Sequence, residues 1–175
     1  MSKHKNQLKK WVMGHIKGFN YGYFLTIDTI YTTGTHNIDE KLLTDFAEET
    51  RGIFRAVNIF SYGRSFQREE QLKESGTPIL RNKLHEVTAY EISKGGRLHL
   101  HSILLHDGSC NRTVDQIEDH LRESCTYNRH TRLAGNNALD VRPYDVSRKN
   151  NLIDYMLKST DFIYDRYRFC NINIS

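Results

Sequence analysis

The stretch Glu91–Leu105, EISKGGRLHLHSILL, carries the densest chemistry in the sequence. His99 and His101 stand two apart, and on an extended strand residues two apart point to the same face. Two imidazoles side by side on one face are what a single metal ion asks of two ligands. The leucines between them, Leu98 and Leu100, turn to the other face, into a core that holds the strand rigid. An oxygen donor can come from the same hairpin. If Lys94-Gly95-Gly96 forms a three-residue loop, Ser93 pairs with Arg97 and Glu91 falls directly opposite His99. Directly opposed side chains have Cβ atoms roughly 4.5–5.5 Å apart on one face, whereas a bulge at the glycines would shift that register. Two imidazoles and a carboxylate with open positions suit Mn²⁺ or Mg²⁺ assisting phosphate chemistry, and also Zn²⁺. His-x-His alone is equally a chance surface pair in a chain with nine histidines.

A second pair is Tyr155 and Lys158, in IDYMLKS. On a helix, residues three apart are surface neighbours, and Ile153, Met156 and Leu157 would bury one side, leaving the phenol and the ammonium on the flank. A phenol with its ordinary pKa near 10 is a poor nucleophile at neutral pH. A nearby cation favours the phenolate and can also bind a phosphate oxygen. Taken alone, the pair reads as an interfacial tyrosine beside a solvated lysine.

The elements that would position these groups follow from periodicity. Leu8, Trp11, Val12 and Ile16 recur at helical spacing in a lysine-rich start, predicting a short amphipathic helix with a solvated face and Trp11 packed on the protein, or alternatively one that contacts phosphate. Gly22–Ile30 reads as a strand with Tyr23, Leu25 and Ile27 on one face and Phe24, Thr26 and Asp28 on the other. An apolar stripe from Leu42 to Val57 predicts a long helix ending near Phe60. Gly63–Gly76 is charged and aperiodic, which predicts a loop with at most a helical turn, closed by Pro78. A hairpin over 83–105 comes next. Thr113 and Gln116 have capping-box spacing before a helix that turns Val114, Ile117 and Leu121 to the core. Ala138–Val146 predicts a strand, with Pro143 confining its middle to an edge or bulge. Ser147 is placed to cap a last helix, and the tail IYDRYRFCNINIS can add a final strand. This order gives an α+β fold, a central antiparallel sheet with helices packed on it, as one domain over residues 1–175.

Composition narrows the partners. The net charge of +4 leaves 25 bases against 21 acids, which admits a polyanionic partner without demanding one. Tyrosines and phenylalanines are abundant enough to stack on bases as well as to fill a core. Cys110, Cys125 and Cys170 form no close pair, so neither a disulfide framework nor a zinc knuckle is indicated, and a reducing compartment is expected. No apolar run approaches the ~20 residues a membrane helix requires.

Together, and in this order, the segments resemble the HUH endonuclease superfamily, in particular the single-tyrosine rolling-circle replication initiator (Rep) proteins. Three motifs carry the resemblance: the strand FLTIDT at 24–29, the two-histidine strand LHLHSILL at 98–105, and Tyr155-Met-Leu-Lys158. Glu91 matches the acid several positions ahead of the histidines. The resemblance spans residue 22 to about 165 and implies an antiparallel palm like that of RNA-recognition motifs. It also implies nicking and rejoining of single-stranded DNA or an origin hairpin through a 5′-phosphotyrosine link. Tyr155 would be the nucleophile, Lys158 its assistant, and Glu91, His99 and His101 the ligands of Mn²⁺ or Mg²⁺. The chain contains no GxxxxGK[ST] loop, so helicase and polymerase would be separate partners. The implied setting is the cytoplasm, or the host cell for a plasmid- or virus-encoded protein. A single-tyrosine transposase would use the same residues. A silent single-strand-binding module would not need all five, and a metallo-β-lactamase-like hydrolase would want Asp and His soon after the histidine pair, where Ser102-Ile103-Leu104 stands.

Overall fold

Alternating apolar residues form the strands that the sequence indicates, and the strands pair into one sheet. The computed structural model describes residues 3–32, 40–74, 82–93, 96–158 and 170–173. In chain order these form α1 (Lys3–His15), β1 (Tyr21–Thr32), α2 (Glu40–Tyr62), α3 (Arg64–Glu74), β2 (His85–Ile92), β3 (Arg97–His106), α4 (Val114–Thr126), β4 (Leu139–Pro143), a 3₁₀ turn (Val146–Arg148), α5 (Lys149–Met156) and β5 (Cys170–Asn173). The fold is α+β. The five strands lie in the order β4-β1-β3-β2-β5, every neighbouring pair antiparallel. Among the described residues no helix is long and apolar enough to cross a membrane.

Period-two alternation divides the sheet into two differently used faces. Tyr23, Leu25 and Ile27 of β1 and Leu98, Leu100 and Leu104 of β3 point to one face, under Phe46, Phe54 and Val57 of α2 and Ile117 and Leu121 of α4. The other face carries Phe24, Val87, Ala89, Ile103 and Leu105, packed against Val12 of α1, Ile16 just after it, and Ile153 and Met156 of α5. Thr26, Asp28, Glu91, His99 and His101 share the parity of this second set. The second core is the smaller, and it leaves part of the sheet face uncovered for polar groups.

Several local readings hold in detail. Ser93 N–H donates to the Arg97 carbonyl at 2.9 Å, so the hairpin has the expected three-residue connection and Glu91 pairs with His99. Thr113 and Gln116 form the reciprocal capping box at the start of α4. Pro143 ends β4, an edge strand, where its missing N–H costs no ladder bond.

Others are corrected. Residues 64–74 are a helix, not a loop. Gly63 at φ 58° breaks the chain after α2, and α3 is anchored by buried Phe66 and by an Arg55–Glu70 ion pair at 2.8 Å. One apolar anchor in eleven residues leaves no periodic signal to read. Trp11 is 41% exposed and leans on His15, while Val12 and Ile16 do the packing. Asp145, not Ser147, is the capping residue, accepting from Ser147 N–H at 2.9 Å to start the 3₁₀ turn that leads into α5. The loop after β1, the segment around Pro78, Lys94-Gly95 and most of the tail lie outside the described residues. Of the tail, Cys170–Asn173 forms β5 beside β2.

Gly22 provides a test of the β1–β3 pairing on which the site depends. Its φ is 156°, and a Cβ there would run into the Leu104 carbonyl of the adjacent strand. Gly22→Ala should therefore destabilise the fold by about 2–3 kcal/mol, read as a lowered urea midpoint at constant slope.

Candidate metal centre and its neighbouring tyrosine

Antiparallel register brings the three predicted ligands together. Glu91 Oε1 lies 3.2 Å from His101 Nε2 and 3.4 Å from His99 Nε2, and the two Nε2 atoms are 3.2 Å apart. Ligands about 2.0–2.2 Å from a shared ion stand roughly 3.0–3.5 Å from one another. The donor spacing therefore fits one small divalent cation, and the cluster can hold a metal ion. His101 is fully buried, and the His99 and Glu91 side chains are 16% and 11% exposed. Burial, reinforced by the neighbouring His101, pushes the His99 pKa below its ordinary value despite the opposing pull of Glu91 and Asp28. His99 is thus held in the neutral form that a metal binds.

β1 supplies the groups behind the histidines. In the β1–β3 register Thr26 faces His101 and Asp28 faces His99. Thr26 Oγ1 is 2.9 Å from His101 Nδ1. Asp28 Oδ1, buried and without a hydrogen-bond partner, lies 3.7 Å from His99 Nδ1. Its other oxygen meets Arg97 at 3.3 Å. The Asp28 carboxylate and the Thr26 hydroxyl therefore stand on the Nδ1 sides of the two imidazoles, the side away from the Nε2 atoms that face Glu91, where the partners that orient metal-binding histidines are found. Alternation alone puts Thr26 and Asp28 on one face, but their pairing with the histidines needs the β1–β3 register, which no local pattern states.

The fourth and fifth candidates join the same cluster from α5 and the turn that closes it. The Tyr155 ring lies 4.7 Å from the His101 ring between centroids, and its edge meets Phe24 at 6.2 Å. Tyr155 is 46% exposed, so the residue is half open to solvent. The Lys158 ammonium sits 4.0 Å above the Tyr155 ring and 3.6 Å from Glu91 Oε1. Lys158 is not on the helix: α5 ends at Met156, and Lys158 N–H bonds the Tyr155 carbonyl at 3.2 Å in the closing turn. All five predicted residues thus converge, although His101 and Tyr155 stand 54 positions apart in the sequence.

An eight-residue helix has little stability of its own, so α5 depends on what it packs against. Ile153, Met156 and Leu157 are buried with Val12 of α1 and Ile16 just beyond it. The basic start of the chain turns inward here: Lys9 holds both oxygens of Asp154 at 2.7 Å, and the Lys5 ammonium donates to the Lys158 carbonyl at 3.3 Å. Sequence reading missed this brace because its partners are 145 residues apart. Lys9→Ala should lower amide-exchange protection at residues 153–158 while changing global stability by no more than about 1 kcal/mol. A Lys9→Asp/Asp154→Lys exchange should restore the protection. Unchanged protection in Lys9→Ala would remove the brace.

No protein-family profile and no curated protein matches the chain. Among solved structures, the chain is similar to the hypothetical protein ORF119 from Sulfolobus islandicus rod-shaped virus 1. The two are 19% identical with a TM-score of 0.38, over 88% of this chain and 94% of that one. At that identity and score the likeness bears on neither the activity nor the residues that would carry it.

Proposed function

We propose that this chain is a divalent-metal-dependent enzyme that nicks and rejoins single-stranded DNA through Tyr155, as a replication initiator of the HUH type does. One observation carries the reading: a half-exposed tyrosine, with a lysine ammonium over its ring, stands against a buried Glu-His-His cluster of metal-binding geometry. In that reaction the Tyr155 oxygen attacks phosphorus and the bond to the 3′ oxygen breaks. The 5′ side remains as a phosphotyrosine ester, and the phenol's proton is balanced by the one gained at the departing 3′ oxygen. Attack by a 3′-hydroxyl reverses the step and joins the ends. Glu91, His99 and His101 would hold Mn²⁺ or Mg²⁺, hard enough for phosphate oxygens, and the bound ion would supply Lewis-acid stabilisation of the phosphate charge. Asp28 and Thr26 would steady the imidazoles from behind, and Lys158 would meet a non-bridging oxygen. The substrate would be single-stranded DNA or an unpaired origin hairpin, with helicase and polymerase as separate partners.

The test is incubation of end-labelled single-stranded oligonucleotides with the protein and Mn²⁺. A labelled adduct that survives denaturation and disappears with a chelator is the expected result. Binding without an adduct under any divalent ion would leave a single-strand-binding module instead.

Lys158 gives a prediction of opposite signs. Its ammonium faces the same Glu91 oxygen that both histidines face, so it competes electrostatically with a cation there. Lys158→Ala should bind Mn²⁺ several-fold more tightly without DNA, yet cleave several-fold more slowly in single turnover. Weaker Mn²⁺ binding, measured by electron paramagnetic resonance, would contradict the placement of the metal beside it.

A further inference from the structure

Beside Tyr155 a cleft of about 670 Å³ opens between the β4 edge of the sheet and the segment leading into α5. Its apolar surface is built by Phe24, Pro143 and Leu152, and Tyr155, whose ring packs beside His101, lines it too. Thr26 also lines it, and the same Thr26 hydroxyl touches His101. An occupant of the cleft is therefore next to the phosphate that Tyr155 would attack.

Charge decides which part of a nucleotide belongs there. Arg142 and Arg148 line the cleft, but so do Asp140 and Asp145, and each arginine is paired with one of these acids, at 2.9 and 3.4 Å. The lining charge sums to zero, so the cleft is no anion hole. An unpaired base and its sugar are neutral, flat and largely apolar, and the volume falls within the range of small-molecule sites. The two arginines, 70% and 81% exposed, can still meet the backbone as it leaves. Asp145 is occupied in capping, which leaves the Asp140–Arg142 pair to offer an acceptor and donors to a base edge.

We propose that this cleft seats one unpaired nucleoside immediately flanking the scissile phosphate, with its base against the Phe24–Pro143–Leu152 surface. The inference rests on the nicking reading for what lies beside the phosphate, but the seat itself can be read by binding alone.

The experiment pairs an abasic scan with two variants that fill the cleft from its exposed rim, Asn151→Trp and Arg148→Trp. In the wild type, one abasic position flanking the cleaved bond should slow single-turnover cleavage about tenfold, as expected when one base loses its stacking surface. Each variant should slow the intact substrate by a similar factor and lose nothing further on the abasic one. Losses that multiply, or full-rate cleavage at both flanking abasic positions, overturn the seat. A 2-aminopurine at the flanking position of an uncleaved oligonucleotide gives a readout free of chemistry. Its fluorescence should change on binding the wild type and change distinctly less with either variant. Equal responses from wild type and both variants overturn the seat. A wild-type response without any adduct would instead reject the nicking reading and keep the seat.

Discussion

Tyr155→Phe should bind the same single-stranded DNA with unchanged affinity and form no covalent adduct with it. The substitution keeps the ring that packs beside His101 and Phe24 and the face over which Lys158 sits. It removes only the oxygen that would bond to phosphorus. Removing a nucleophile costs catalysis orders of magnitude, here at least about 10⁴-fold in single-turnover rate. With Tyr155 46% exposed, little stability depends on its hydroxyl, and the melting temperature should stay within a degree or two. Denaturing gels of the labelled oligonucleotide decide the matter. An undiminished adduct in Tyr155→Phe would move the nucleophile elsewhere, with Tyr164 and Tyr167, both outside the described residues, the first to test.

Glu91→Gln should weaken Mn²⁺ binding by at least about 100-fold, since even the loss of a group that only orients a ligand costs 10–100-fold. The amide keeps the shape of the carboxylate while replacing an anionic donor with a neutral one, so activity should recover in part as Mn²⁺ is raised. Global stability should move by about 1 kcal/mol or less, because the removed charge sits among polar groups and not in either apolar core. Isothermal titration with Mn²⁺ and the metal dependence of adduct formation both report on this. A Glu91→Gln protein with wild-type metal affinity would exclude Glu91 from the ligand set, and Asp28, 3.7 Å behind His99, would become the oxygen donor to test.

The predicted donors were legible because hairpin geometry is local. His-x-His fixes two side chains on one face, and a three-residue loop fixes the acid opposite one of them. Both statements depend on residues within fifteen positions of each other. The same held for the face assignment of Phe24, Thr26 and Asp28 and for the capping box at Thr113. Where the periodic signal was thin, reading failed. Helix α3 offers one buried aromatic in a charged run, and its stability comes from contacts with α2 that its own sequence does not announce. Trp11 went wrong for a related reason: helical spacing names a set of apolar positions but not how far round the stripe extends, and Val12 and Ile16 filled the available space.

What the sequence by itself determined is the inventory and its local geometry: the histidine pair, the opposed carboxylate, the Tyr-x-x-Lys spacing and the alternating faces. What only the tertiary structure decided is that these meet. Pairing of β1 with β3 puts Asp28 and Thr26 behind the imidazoles, and packing of α5 on the smaller sheet face brings Tyr155 to His101. The Lys9–Asp154 contact then holds that helix, and the Lys5–Lys158 contact the turn after it, from α1. Those choices follow from which buried surfaces best fit one another, a property of the assembled core that local periodicity cannot encode.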